Sequence, residues 1–271
     1  MPTQSEKGAA FDALHRRGKA FLIPNPWDIG SARLLAHLGF EALATTSAGF
    51  AFSAGKPDGA MSRDATLAHV AALVSATDLP VSADLENGFG DAPQDAAGTI
   101  RLAAAAGLAG GSIEDSHRHA ERGQYEVEHA ADRIRAAAEV VRGLPFRFTL
   151  TARAENYLAG KPDLRDTIRR LQAYQQAGAD VLYAPGLVSP DDIAAVVRSV
   201  DRPVNVLGGL PALSLADLSA LGVARVSIGG ALARAALGAF LRAAREMREH
   251  GTFSFTAEAA SSREINALFA R

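Results

Sequence analysis

A short pattern recurs at four places along the chain and constrains its architecture more than any other feature. A helical stretch ends on a small residue and a glycine, and a short apolar run follows at once. The copies read "HLGFEALATT", "AAGLAGGSIED", "QAGADVLYAP" and "ALGVARVSIG", with glycines at Gly39, Gly107, Gly178 and Gly222. Glycine closes a helix in the left-handed conformation without a Cβ clash, so each copy reads as a helix-to-strand junction. Between them lie Ala- and Leu-rich segments with helical spacing, such as "RDATLAHVAALVSA" and "RDTIRRLQAYQQ". About eight apolar runs qualify as strands, near 20–24, 41–46, 80–84, 110–114, 147–152, 180–184, 203–207 and 224–228. Strands that alternate with helices pair in parallel. Eight such units predict an α/β fold, a (β/α)8 TIM-type barrel. The competing arrangement is a doubly wound open sheet. It is disfavoured because no dinucleotide fingerprint follows the first strand, and "GFG" at 88–90 does not run on into GxxG.

The barrel, with an N-terminal helix, is expected over 1–245 and a C-terminal helical extension over 246–271. The extension contains "SSREINALF", in which Ile265, Leu268 and Phe269 share one apolar face. That face must dock on its own barrel or on a neighbouring subunit. The chain has 271 residues, 48% of them hydrophobic, enough for a barrel-sized core. A net charge of −2 with mixed signs argues against nucleic-acid or polybasic membrane binding. The absence of cysteine excludes disulfides, zinc–thiolate sites and thiol catalysis. No apolar run is long enough to span a bilayer, and "MPTQSEKGAAFDALHRRGKAF" lacks a secretory core, so a cytoplasmic protein is expected.

In a (β/α)8 barrel the C-terminal strand ends face the active site. Strand one ends in Asn25, Trp27 and Asp28, and strand two in Thr46, Ser47, Ala48 and Gly49. Strand three supplies Asp84 and Glu86, strand four Glu114 and Asp115, strand five Arg153 and Glu155, and strand six Tyr183 and Pro185. Strands seven and eight end in Gly208, Gly209, Gly229 and Gly230. Acids on adjacent strands, without cysteine or clustered histidine, suit Mg²⁺ or Mn²⁺ held by one or two direct carboxylates and by water. Asp84 and Glu86, two residues apart, are expected to face inward together, with a divalent cation as their counter-charge. The planar fork of Arg153 matches a substrate carboxylate. Small residues at 47–49 would let backbone N–H groups approach an anion. Asp91 and Asp166 read as helix-start residues, Trp27 as packing, and His117, His119 and His129 as solvated surface.

These residues resemble the isocitrate lyase/phosphoenolpyruvate mutase superfamily over nearly the whole chain. "ADLENGFG" resembles the family's DADxGxG metal segment, with Asp84 and Glu86 at its acidic positions and Glu in place of the usual second Asp. "IED" resembles the next metal-site acid, Glu114, and "TAR" the family arginine, Arg153. "ATTSAGFAFSAGKPDG" resembles the loop that binds a 2-oxo acid through Thr46, Ser47 and Ala48 and then carries a catalytic aspartate, Asp58. "INALFAR" resembles a C-terminal segment of the lyases. The resemblance implies Mg²⁺ dependence and a homotetramer that exchanges a C-terminal helix. Where the lyases carry a KKCGH-type loop with a cysteine acid, this chain reads "SHRHAERGQYEVEHA", so the general acid must differ. Pro185 stands where some lyases use a strand-six glutamate.

The resemblance implies a lyase that binds a 2-oxo acid, or a substrate yielding one, and cleaves the adjacent C–C bond through a metal-stabilised enolate. Oxaloacetate decarboxylation and 2-methylisocitrate cleavage are examples. Arg153 would hold a carboxylate, and N–H groups near Ser47 and Ala48 would stabilise developing charge. Asp58, between Gly55 and Gly59 on a candidate lid, would act as base, water-positioning group or nucleophile. The segment from His117 to Tyr125 is a second candidate gate, and His117 or Tyr125 a candidate proton donor. The alternatives are a C–P bond enzyme, of the phosphonopyruvate hydrolase or mutase kind, and a non-catalytic 2-oxo-acid binding protein.

Overall fold

The computed structural model describes residues 2–117, 123–209 and 213–270. All eight expected strands form: β1 Phe21–Ile23, β2 Leu43–Ala44, β3 Val81–Asp84, β4 Gly110–Glu114, β5 Thr149–Arg153, β6 Val181–Tyr183, β7 Val204–Leu207 and β8 Arg225–Ser227. They pair in parallel in the order β1-β8-β7-β6-β5-β4-β3-β2. The Ala44 N–H donates to the Pro24 carbonyl at 3.1 Å and closes the ring between β1 and β2. The predicted TIM-type barrel is therefore the fold.

The helices that clothe the barrel are α1 Gln4–Arg16, α2 Ile29–His37, α3 Ser47–Ser53, α4 Arg63–Ser75, α5 Pro93–Ala105, α6 Val127–Arg142, α7 Leu164–Ala177, α8 Pro190–Arg198, α9 Leu215–Ala220, α10 Ala231–His250 and α11 Ser262–Phe269. Gly39, Gly107, Gly178 and Gly222 all take positive φ, from 83° to 110°, as the junction pattern requires. At Gly178 a Cβ would also lie 2.8 Å from the Ala138 Cβ, so that junction is fixed by packing as well as by backbone. The main core lies between the strands and the inner faces of α4 to α9, through residues such as Ile100, Ile134, Leu171 and Ile193.

Two helix-start assignments shift. Asp163, not Asp166, caps α7, and Asp166 sits in the first turn paired with Arg170. Asp91 lies before the Ala92 cap of α5 and turns instead into the loop network described below. Asp28, placed at the first strand's mouth, caps α2 by accepting from the Ser31 N–H at 2.7 Å.

The C-terminal helix α11 docks on α2. Arg33 donates to the Phe269 carbonyl at 2.9 Å and lies over the Phe269 ring. Helix α10, by contrast, buries only Ala233 and leaves Leu237, Phe240, Leu241 and Met247 exposed. No helix among the described residues is long and apolar enough to cross a membrane.

Helix α1 closes the bottom of the barrel. Its His15 is buried edge-on between Phe11 and Phe21. The Nδ1–H donates to the Phe11 carbonyl at 2.8 Å, so Nε2 is the acceptor facing the Arg225 guanidinium at 3.3 Å. Burial, reinforced by Arg225, pushes the imidazole down to about 3 from 6.5. The unfolded chain then binds a proton that the native one refuses, so stability falls as pH drops from 6.5 toward 3. At pH 4.5 this costs about 2–3 kcal/mol. Urea midpoints at pH 7 and pH 4.5 should show a smaller acid loss in His15→Gln than in the parent. An equal loss in both would remove His15 as the cause.

Candidate active site

The site is built where parallel strands stagger around the barrel mouth. Asp84 is level with Ser112, and Glu114 is level with Arg153, which is level in turn with Tyr183. Alternation along each strand turns these residues inward. Asp84 is held from several sides. Its Oδ1 accepts from Arg153 Nη1 at 3.0 Å and from the Glu86 N–H at 3.2 Å, and its Oδ2 accepts from the Ser47 N–H at 3.3 Å. Glu86 does not reach the site by strand alternation, because it lies beyond β3. Its φ of 49° is a left-handed value that a side chain adopts only at a cost. That turn lets its carbonyl accept from the Glu114 N–H at 3.0 Å, so the two glutamates become neighbours. Gly88 follows at φ 82°, where a Cβ would meet the Ala96 backbone at 2.9 Å, so the loop lies flat on α5.

Arg153 occupies the centre. It pairs with Asp84 at 3.0 Å, Glu114 at 3.4 Å and Glu155 at 2.8 Å, and its guanidinium lies 5.3 Å from the Tyr183 ring centroid. Arg153 is thus a counter-charge for Asp84 within the chain itself. One cation cannot neutralise three carboxylates. Burial pushes the Glu114 carboxyl well above its ordinary value, Arg153 pulls it back, and Glu155, Asp84 and Glu86 push it up again. Glu155 is raised for the same leading reason, burial. Burial alone would lower Arg153, but Glu155, Asp84 and Glu114 hold it well above the usual range.

This excess of hard oxygen donors fits a divalent cation such as Mg²⁺. Among the described residues no three acidic or imidazole side chains converge into a ready-made cage. A bound ion would therefore take one or two carboxylates and complete its shell with water and ligand oxygens.

A cavity of about 200 Å³ opens beside Asp84 and Arg153 and runs down into the barrel. Thr45, Thr46, Ser47 and Ala48 form one wall. Thr46 caps α3 by accepting from the Gly49 N–H at 3.3 Å, which leaves first-turn N–H groups at the cavity. Gly49 is small for packing rather than for ligand approach, since a Cβ there would meet Thr46 at 2.6 Å and Trp27 at 2.9 Å. Asp58 is exposed but lines the cavity, on a loop whose Gly55 and Gly59 take φ 68° and 77°.

Glu86 and Glu114 do not line the cavity, and neither do His117 and Tyr125. His117 and His129 are not simply solvated. The Tyr125 hydroxyl donates to Asp91 Oδ1 at 2.7 Å and accepts from Asn87 Nδ2 at 3.0 Å. His117 pairs with the same carboxylate at 3.3 Å, and His129 bonds the Asp91 carbonyl at 2.8 Å. Burial, with the bond to Asp91, pushes the Tyr125 phenol up to about 12. These contacts tie the loop after β3 to the loop after β4. His119, and part of the proposed second gate, lie outside the described residues.

Sequence reasoning named Glu155 and Tyr183 at strand ends without giving them a role. It missed Asn205, Ser227 and Arg225, which also line the cavity. The available signal was a charged residue inside the apolar run "VARVSI" of the last strand.

The family model for phosphoenolpyruvate phosphomutase matches residues 11–248. A crystal structure from Burkholderia cenocepacia J2315, described provisionally as a lyase/mutase, superposes with TM-score 0.96 at 63% identity, covering 99% of this chain and 97% of that one. A phosphonopyruvate hydrolase, solved with oxalate and Mg²⁺, gives TM-score 0.85 at 28% identity over 99% of this chain and 95% of its own. The oxaloacetate decarboxylase of Chromohalobacter salexigens is 30% identical over 258 residues, 92% of this chain and 88% of its own.

Removing Arg153 leaves buried Glu155 and half-buried Asp84 and Glu114 facing one another. Arg153→Met should cost about 3–5 kcal/mol, the usual penalty for breaking a buried pair. Glu114 and Glu155 are raised in the folded state, so the native protein binds more protons than the unfolded one as pH falls. The deficit should therefore be largest at pH 8 and shrink toward pH 5. A pH-independent deficit in thermal melts would contradict this account of the centre.

Proposed function

This chain belongs to the phosphoenolpyruvate phosphomutase family, and from that premise we propose that it is a divalent-metal-dependent lyase acting on a 2-oxo acid. The reaction that needs the fewest additional groups is cleavage of the C–C bond next to the keto group, as in oxaloacetate decarboxylation. The observation that carries this reading is the over-subscribed guanidinium: Arg153 shared by Asp84, Glu114 and Glu155 beside a cavity walled by Ser47 and Ala48. Relatives that share most of their length with this chain include an oxaloacetate decarboxylase and a 2-methylisocitrate lyase.

Asp84, with Glu86 and Glu114 acting through water, would hold Mg²⁺, or Mn²⁺ in its place. Such an ion, when bound, supplies Lewis-acid stabilisation of negative charge on a ligand oxygen. The remaining work falls to this chain's own residues. Arg153 has N–H groups beyond those used by its acids and would fix a carboxylate in line with the breaking bond. The Ala48 N–H at the start of α3 would donate to oxygen where charge develops, beside the Ser47 N–H that holds Asp84 Oδ2. Thr46 sets the direction of both through its cap. Asp58, on its glycine-flanked loop, would reach over the cavity mouth to move a proton or place a water. Tyr183, which lines the cavity and is pushed up to about 12 by burial, stays a neutral phenol.

The C–P reading is favoured by one observation, the 28%-identical hydrolase solved with oxalate and Mg²⁺. In that reading Asp58 would act at a phosphonyl group instead of at carbon. We further propose that the apolar stripe of α10 and the 246–271 extension are exchanged or buried between copies in a homotetramer. The exposed Leu237, Phe240 and Leu241 support this.

Turnover of oxaloacetate and phosphonopyruvate, followed as pyruvate release with Mg²⁺ and with chelator, tests the reading. Metal-dependent release from oxaloacetate is expected. Release of phosphate from phosphonopyruvate alone would move the assignment to the C–P branch. Asp84→Ala should retain the fold and lose metal-dependent oxalate binding. Unchanged oxalate binding in that variant would refute the metal site.

A further inference from the structure

The interiors of (β/α)8 barrels are usually filled by bulky branched side chains. Here the layer beneath the rim is lined by Ala44, Ser82, Ser112, Asn205 and Ser227, and the cavity descends through it to Arg225. Arg225 is 5% exposed, yet among the described residues no carboxylate pairs with it. Its hydrogen bonds go to Asn205 Oδ1 at 2.9 Å, Thr151 Oγ1 at 3.1 Å and His15 Nε2 at 3.3 Å. All three partners are neutral, the imidazole because burial keeps it unprotonated near pH 7. A guanidinium carries five N–H groups, so donors remain beyond these three bonds. Burial lowers Arg225 to about 10, which still leaves it charged.

A buried charge without a counter-charge is costly. Such a charge at the foot of an open, polar cavity is what an anionic ligand would relieve. The neighbours are arranged to match. The Asn205 amide is oriented by Arg225, since a guanidinium can only donate. Its Nδ2 therefore donates to Ser227 Oγ at 3.0 Å, and the Ser227 hydroxyl in turn bonds the Tyr183 phenol. Donors thus face the cavity floor, and acids lie only at the rim.

Resting on the 2-oxo-acid reading of the rim, we propose that Arg225, Asn205 and Ser227 form a second anion subsite at the barrel floor. It receives the distal anionic group of a compact dianionic substrate, a 2-oxo dicarboxylate or a phosphono-2-oxo acid. A monoanion such as pyruvate would fill the rim and leave the floor to water.

The test is a set of titrations with Mg²⁺ present, using pyruvate and oxalate as ligands without an arm, and 2-oxoglutarate and phosphonopyruvate as ligands with one. The parent protein should bind at least one of the armed ligands tenfold or more tightly than pyruvate. A carboxylate arm and a phosphonate arm are distinguished by which ligand shows that gain. Arg225→Met should abolish the gain while leaving pyruvate and oxalate within about twofold. Equal weakening of all ligands would make Arg225 structural and overturn the proposal, as would a gain that survives the substitution or is missing in the parent. If Arg225→Met does not fold, Arg225→Lys keeps the charge without the fork and should cut the gain at least threefold; no reduction overturns the proposal. If neither pyruvate nor oxalate binds the parent, the rim reading fails on its own. Inorganic sulfate then tests the floor alone: it should raise the melting temperature of the parent and not of the variant, and equal shifts or none would overturn the subsite.

Discussion

The site depends on one guanidinium held among more carboxylates than it can neutralise. Arg153 is at the end of β5, and its three acidic partners come from β3, β4 and the first residues after β5. Adjacent parallel strands with this stagger bring those strand ends within reach of one side chain. The chain's (β/α)8 geometry and its active-site electrostatics are therefore the same constraint seen at two scales. In the proposed function, the residual negative charge is what a divalent cation would offset.

The fold was legible because its information is local. Four helix-to-strand junctions carry a glycine at positive φ, Gly39, Gly107, Gly178 and Gly222, and a short strand follows each. Rim residues were legible for a related reason. A residue at the C-terminal end of a barrel strand has few options other than facing the cavity, so Asp84, Glu114 and Arg153 could be named from position. Where position ceased to follow strand periodicity, the reading weakened. Glu86 arrives by a left-handed turn rather than by alternation. His117 and His129 looked solvated because their charged neighbourhood hid packed partners, the Tyr125 ring and Asp91 on the loop after β3, and Asp91 looked like a helix start.

The contact between Arg153 and Asp84 was not legible. Placing Arg153 opposite Asp84 requires knowing that Glu114 is level with Arg153 while Asp84 is level with Ser112, a register the sequence does not carry. The same limit hid Arg225. In sequence it is one charged residue in an apolar strand, with the same pattern as a surface-facing position. Only closure of the ring shows that it points across the barrel to Thr151 on β5.

The two arginines give the cavity a direction. At the rim a cation is surrounded by acids, an environment that would suit the proposed metal ion. At the floor a cation is surrounded by amides, hydroxyls and a neutral imidazole, so the local field is positive and welcomes an anion. Between them lie only small side chains, among them Ala44, Ser82 and Ser112. A ligand that is anionic at both ends would meet metal and Arg153 at one end and Arg225 at the other, and reversing it would exchange two unlike environments. In the proposed reaction, orientation of the breaking bond would then follow from the arrangement of charge along the barrel axis.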